Sequence, residues 1–491
     1  MILRASRVRE HRVFAALLGL GVVLRVLATV AYRPALLFSD SRVYLEMAEA
    51  LVPRYDRLVG YPVVLRLLLE GGSLDLVPVV QHLLGLGTAV LLYAALVRLG
   101  VRRWLAALGC APVLLDAYVV QIEQMVMPEA LFHVLLAGGL AALSWRRPPR
   151  LGAAAVGGVL FAAATLVRPL GQILVIPLLG FALLVGRGWS QRLRVAAVAL
   201  LAFVLPLMAY AAWYAQVHGE LRLTAQADVT WYGRVAPFVD CDRLDLPAHA
   251  EALCPRLPPA QRPGPGMYIH GQRSPLRRYE PPPGVSREAV LRDFARRAIL
   301  AQPLTYAREV LSDFVWVFRW DRVNKPDSPA PVERWHFTLD YPEHVKDPEE
   351  LLASHTGTPP TVVVPLARLL RAYQLRVGYT PGPVLLLGLV AGLLAAAGVG
   401  RARRTGLQAA CLLWTLVPAG LLAVPAAVFE FSWRYQLPGV VLYPAAAALG
   451  LTALSGQLSS AAMAASSGSV PISPAQRPAT RPSASTSTKN G

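Results

Sequence analysis

Acidic side chains are scarce in this chain. Only 30 Asp and Glu face 48 Lys and Arg among 491 residues, and charged residues of both signs make up 16% of the total, where soluble domains carry about a quarter. Cysteine occurs four times, with no CxxC pair and no His-rich run beside it, so zinc and iron-sulfur sites have no support. Neither a GxxxxGK[ST] loop nor a GxGxxG after a strand is present, which removes ATP and nucleotide sugars as ligands. Apolar residues fill the space instead: they are 55% of the chain and the mean hydropathy is +0.45, the composition of a polytopic membrane protein. A formal charge of +18 would suit nucleic acid in a soluble chain. Here the basic residues fall in short clusters between apolar runs, so nucleic acid is excluded as a partner.

A helix needs about 20 apolar residues to span hydrocarbon, and ten segments are expected to do so: 12 to 32, 74 to 97, 104 to 121, 127 to 145, 151 to 167, 169 to 186, 194 to 217, 382 to 399, 406 to 428 and 436 to 455. The expected fold class is an all-α bundle of about ten transmembrane helices. Arg clusters at Arg4/Arg7/Arg9/Arg12, Arg98/Arg102/Arg103, Arg146/Arg147/Arg150, Arg187/Arg192/Arg194 and Arg401/Arg403/Arg404 fall at every second connection. By the positive-inside rule both termini are then cytoplasmic. The first apolar run is longer than a signal-peptide core and lacks an A-x-A site, so it reads as an uncleaved anchor. Arg outnumbers Lys 45 to 3, a bias that suggests a high-GC bacterium and hence the plasma membrane.

Carboxylates follow the same division. Residues 218 to 379 hold 19 acids and the rest of the chain 11, of which only Glu10 lies inside on this topology. Carboxylate chemistry is therefore expected on the exterior face. The chain divides into a transmembrane module at 1 to 217 with a first exterior loop at 33 to 73, a Pro-rich exterior loop domain at 218 to 379 with juxtamembrane helices, C-terminal transmembrane helices at 380 to 457, and a Ser/Ala/Pro/Thr-rich tail at 458 to 491 expected to be disordered and cytoplasmic. Within the exterior segment Ser286 is expected to cap a helix to Gln302 and Pro303 to open another.

In the first exterior loop Asp40 stands at the start of a helix whose apolar stripe includes Val43, Tyr44, Met47 and Ala48, and Gly60-Tyr61-Pro62 precedes another apolar run. Asp40 is either a helix cap or a reactive carboxylate. Arg168 and Arg434 stand at outer helix ends that carry no other positive charge, where a guanidinium is costly unless paired or functional. They are candidates for phosphate binding, against a snorkelling anchor or an ion pair with Glu129 or Glu430. Tyr435 could position a substrate or belong to an aromatic belt. Glu129, after Pro128, suits the first turn of its helix, and Glu123 and His82 are placed on outer helix halves, where a hydrogen-bonded core role competes with lining a substrate. Cys241 and Cys254 are expected to pair as a disulfide in an oxidising compartment.

The order of these elements resembles a known family. A D-x-x-x-Y-x-x-x-A stretch at Asp40, Tyr44 and Ala48, then Gly60-Tyr61-Pro62, Met127-Pro128-Glu129-Ala130-Leu131-Phe132, Leu166-Val167-Arg168-Pro169 and Arg434-Tyr435-x-x-Pro438 together resemble the GT-C polytopic glycosyltransferases, the group of protein O-mannosyltransferases and lipid A aminoarabinose transferase. The resemblance implies an inverting transfer of a sugar from a polyprenyl-phosphate donor, drawn from the membrane lipids, to an exterior glycan, lipid or protein. Asp40 would be the base, with its basicity raised by a desolvated setting. Arg168, Arg434 and Tyr435 would hold the donor, and Tyr44, Tyr61, Glu123, Glu129 and His82 would line the substrate. The resemblance leaves a divalent metal open as a cofactor. A carrier or flippase for a lipid-linked sugar, or a non-catalytic partner in envelope assembly, is the competing reading.

Overall fold

Every one of the ten apolar runs is helical, as a backbone away from water must bond itself. The computed structural model describes residues 11 to 457 except 72, 187, 327 to 330, 341 to 346 and 357 to 359. The tail from 458 and the cluster Arg4, Arg7 and Arg9 lie outside the described residues. The N-terminal half comprises α1 (Arg12–Ala31), α2 (Ser41–Ala50), α3 (Gly60–Glu70), α4 (Leu76–Arg98), α5 (Arg103–Leu115), α6 (Ala117–Gln124), α7 (Glu129–Ser144), α8 (Leu151–Val167), α9 (Val175–Leu184) and α10 (Trp189–His218). There follow α11 (Gln226–Val235), α12 (Pro265–His270), α13 (Pro275–Arg278), α14 (Arg287–Ala301), α15 (Pro303–Trp316), α16 (Pro348–Thr356) and α17 (Val364–Arg376). The chain closes with α18 (Gly382–Ala396), α19 (Ala402–Thr405), α20 (Gln408–Val428) and α21 (Trp433–Ser455).

The protein is an all-α membrane protein, but the expected count of ten full spans is corrected. Among the described residues five helices, α1, α4, α10, α20 and α21, are long and apolar enough to cross a membrane, and a sixth if α5 and α6, bent by 47° between them, count as one. The remaining apolar helices α7, α8, α18 and the run Pro169–Leu184 are shorter. Turn residues at their ends account for it. Met127 and Pro128 precede α7, Arg168 and Pro169 break the chain between α8 and a 3-10 turn, and α18 runs out before the left-handed Gly398. The helix α21 is the centre of the bundle, buried along most of its length against α18, α20 and α5.

At one end of the bundle the chain leaves α1 through a short antiparallel ribbon, β1 (Tyr32–Arg33) with β2 (Thr361–Val362), Tyr32 opposite Val362. Leu36 then exchanges backbone hydrogen bonds with Gln124 and Val126, which fixes the approach to Asp40. Gly60-Tyr61-Pro62 is the first turn of α3 rather than a free turn, with Pro62 where an N–H needs no partner. A Cβ at Gly60 would lie 2.6 Å from the Leu166 carbonyl carbon. Glycine there brings the start of α3 against the backbone just ahead of Arg168.

Residues 219 to 381 cover this end. Tyr232, Val235, Leu253, Leu291 and Phe294 form a core separate from that of the bundle, and a disulfide joins Cys241 to Cys254, Cα atoms 6.2 Å apart. The Ser286 hydroxyl accepts the Ala289 N–H to start α14, and Pro303 opens α15. The segment is tied to the bundle where Gly266 N–H donates to Glu430 Oε2 at 3.0 Å and Gln436 Nε2 donates to the Val317 carbonyl at 2.6 Å.

Candidate functional site

Asp40 occupies the cap position of α2, yet its side chain makes no capping bond. Ser41 takes over the local turn, accepting the Phe38 N–H at 2.9 Å and donating to the Val126 carbonyl at 3.0 Å. The Asp40 carboxylate is thereby released for other partners. One oxygen accepts from Arg57 Nη2 at 3.0 Å and the other from Arg434 Nη1 at 2.6 Å.

Arg434 lies in the first turn of α21 and also pairs through Nε with Glu129 Oε1, while Arg168 Nη1 lies 3.2 Å from that same oxygen. Glu129 is fully buried at the start of α7. Five side chains thus form one group of three guanidiniums and two carboxylates, and Asp56 Oδ2, 3.8 Å from Arg57 Nη1, adds a third carboxylate that balances the formal charge. Buried charge is tolerated when it is paired and hydrogen-bonded, but here the hydrogen bonding is incomplete. Glu129 Oε2 and Arg168 Nη1 have no hydrogen-bond partner among the described residues. The Arg168 guanidinium lies over Phe132 at 5.5 Å and over Tyr435 at 5.9 Å, so aromatic faces supply part of the missing stabilisation.

Two guanidiniums beside Asp40 outweigh the burial that opposes ionisation and hold its carboxyl well below the usual range. This corrects the expectation of a raised basicity. Sequence reading anticipated the desolvation but not Arg57, which stands in Arg54-Tyr55-Asp56-Arg57 and looks like a solvated charged turn. Tyr44 is buried next to this group, its ring 5.1 Å from that of Tyr61 and edge-on to it, and Tyr61 donates to Gln81 Oε1 at 3.0 Å. Burial raises both phenols. His133, one turn after Glu129, is buried with an unpartnered Nε2 and was not anticipated either.

Glu123 and His82 belong to a different network, which corrects their placement as substrate-lining residues. Arg25 holds Glu123 through Nε at 2.8 Å and Nη2 at 2.9 Å, and His82 Nδ1 lies 2.9 Å from Glu123 Oε2. The other His82 nitrogen bonds Gln124. The break at Asp116 leaves the last carbonyls of α5 without helical partners; Arg25 donates to those of Val113 and Leu114 at 3.0 and 2.9 Å. Gly85 makes the room, since a Cβ there would meet Glu123 Oε1 at 2.0 Å.

Glu430 does not pair with Arg168 or Arg434. It faces the Gly266 N–H, and burial pushes its carboxyl up to about 7. Among the described residues no group of three or more His, Cys, Asp or Glu converges, and both Asp40 oxygens are held by guanidiniums, so this site does not fit a divalent metal. The chain matches no family model, no curated protein and no solved structure.

Proposed function

We propose that the protein is an inverting membrane glycosyltransferase that moves a sugar from a polyprenyl-phosphate donor to an acceptor outside the plasma membrane. On this reading the ten apolar segments form a GT-C-like bundle, the termini are cytoplasmic, and the end covered by residues 219 to 381 faces outward. The observation that carries it is the Asp40 group: a carboxylate held between Arg57 and Arg434, with Arg168 and Glu129 beside them, at the end of an apolar bundle.

The planar guanidinium forks of Arg434 and Arg168 suit the oxygens of a phosphate diester. The donor phosphate takes Arg434 and Arg168, drawing Arg434 away from Asp40. With one cation gone, Asp40 recovers basicity. The acceptor hydroxyl oxygen attacks the anomeric carbon, its proton passes to Asp40, and the bond from that carbon to the phosphate oxygen breaks. The electron pair leaves with the polyprenyl phosphate, whose second negative charge is met by Arg168 and Arg434. Tyr435, under Arg168, borders the donor.

One observation favours a carrier: charged groups on α1, α4 and α6 meet inside the bundle at Arg25, His82 and Glu123, and such residues mark transport paths. Mass spectrometry of products from the purified protein given a panel of polyprenyl-phosphate sugars and acceptors decides between them. Glycosylated acceptor supports the enzyme; movement of intact lipid-linked sugar across proteoliposomes without product supports the carrier.

A further inference from the structure

A cavity of about 280 Å³ opens behind the approach to Asp40, at the lower end of the size range of small-molecule sites. Leu36 and Met125 form an apolar side, and Arg334, His336, Glu333 and Arg371 give it charge. The residues come from separate stretches. Leu36 precedes Asp40, Arg334 and His336 lie around the 3-10 turn Val332–Trp335, and Arg371 is on α17.

The cavity is distinct from the Asp40 group. None of its lining residues belongs to that group; Phe38, 5.9 Å from the Arg434 guanidinium, stacks on Trp335 of the 3-10 turn at 4.6 Å. Among the described residues neither Arg334 nor Arg371 has a carboxylate within ion-pair distance. Glu333, the acid of the lining, is engaged by Asn324 Nδ2 at 3.2 Å. Among the described residues the buried His336 Nδ1 has no hydrogen-bond partner, and burial together with Arg371 keeps this imidazole below its usual range, hence neutral at pH 7. Two free cations against one engaged acid leave the cavity one positive charge in excess.

We infer that this cavity is a second anion site, taking a phosphate group carried by a ligand of about hexose size through Arg334, Arg371 and His336 Nδ1. Three donor groups, two beside the 3-10 turn and one on α17, suit a tetrahedral set of oxygens better than the planar pair of a carboxylate. The phosphate can come from a soluble sugar phosphate or a lipid headgroup. The inference stands whether or not Asp40 is a base.

The test uses the full chain in phosphatidylcholine nanodiscs, titrated with inorganic phosphate and glucose 6-phosphate by calorimetry, and in parallel nanodiscs containing phosphatidylglycerol. The expected result is saturable phosphate binding weakened about 10-fold or more by Arg371→Gln and by Arg334→Gln, the loss expected for one charge-assisted hydrogen bond. Arg334 is exposed and its side chain bonds nothing among the described residues, so its variant folds even where the Arg371 variant does not. If phosphatidylglycerol blocks the soluble probes in the wild type and not in the variants, the source is a lipid headgroup; if it does not, it is soluble. Absence of binding by any probe, or binding that survives both substitutions, overturns the inference.

Discussion

Two buried charge clusters share this bundle, and they are built on opposite principles. In the Arg25 network each formal charge has its counterpart, both Glu123 oxygens are bonded, and the guanidinium spends its remaining donors on the carbonyls freed by the broken helix. In the Asp40 group Arg57, Arg168 and Arg434 share Asp40, Glu129 and Asp56, yet Glu129 Oε2 and Arg168 Nη1 have no hydrogen-bond partner among the described residues. Burial does not distinguish them, since Glu129 and Glu123 are equally inaccessible. Satisfaction does: one network is closed, with every charged atom bonded, whereas the other is open and leaves buried polar atoms unbonded among the described residues.

The comparison can be broken first on the closed side. Arg25→Met leaves Glu123 charged and unpaired, so stability should fall by roughly 3 to 5 kcal/mol. A thermal shift in detergent measures it, and an unchanged melting temperature would mean that the network holds nothing together. On the open side Asp40→Asn should lower turnover by about 10²-fold while the melting temperature stays within a few degrees. Its carboxylate makes no capping bond, so local helix stability is not at stake. Full activity in the Asn variant would return Asp40 to a structural role.

Arg434→Lys retains the positive charge against Glu129 but loses the two-pronged geometry, so the donor KM should rise several-fold with the protein still folded. An unchanged KM would separate Arg434 from donor binding. The smallest effect concerns Glu430. Its carboxyl is shifted from the ordinary 4.5 up to about 7, so the folded state holds a proton there that the unfolded state has lost. Stability from burying this carboxyl in its neutral form is then present below about 4.5 and is lost as pH rises through about 7. The melting temperature should fall over that window, and Glu430→Gln should flatten the fall.

How much of this was legible in the sequence depends on the range of the interaction. Local signals were clear: the Ser286 cap, Pro303 at a helix start, and apolar runs that all became helices. Hydropathy overstated their length, because Met127, Pro128, Arg168 and Pro169 are too few to interrupt an apolar average yet end helices all the same. At the site Asp40, Glu129, Arg168 and Arg434 stood out as charges in apolar surroundings, and the structure brings these four together. Arg57 did not stand out, since a charged residue in a charged turn carries no signal until the fold brings it within 3.0 Å of Asp40. Glu123 and Glu129 looked alike for the same reason. Only three-dimensional pairing sends one to Arg25 and the other to Arg434.

The partnership of Arg25 with Glu123 also has a timetable. Their positions differ by 98 in the chain, and synthesis at about 5 to 20 residues per second separates them by roughly 5 to 20 s. During that interval the first helix reaches the bilayer with a lone guanidinium, a penalty of up to about 3.5 kcal/mol for a residue near the middle of a span. Nascent chains arrested before Glu123 should therefore hold α1 less firmly in the membrane than chains arrested beyond it, as read by resistance to alkaline extraction. Assembly of this protein begins with a debt incurred by its first helix and discharged by its third apolar segment.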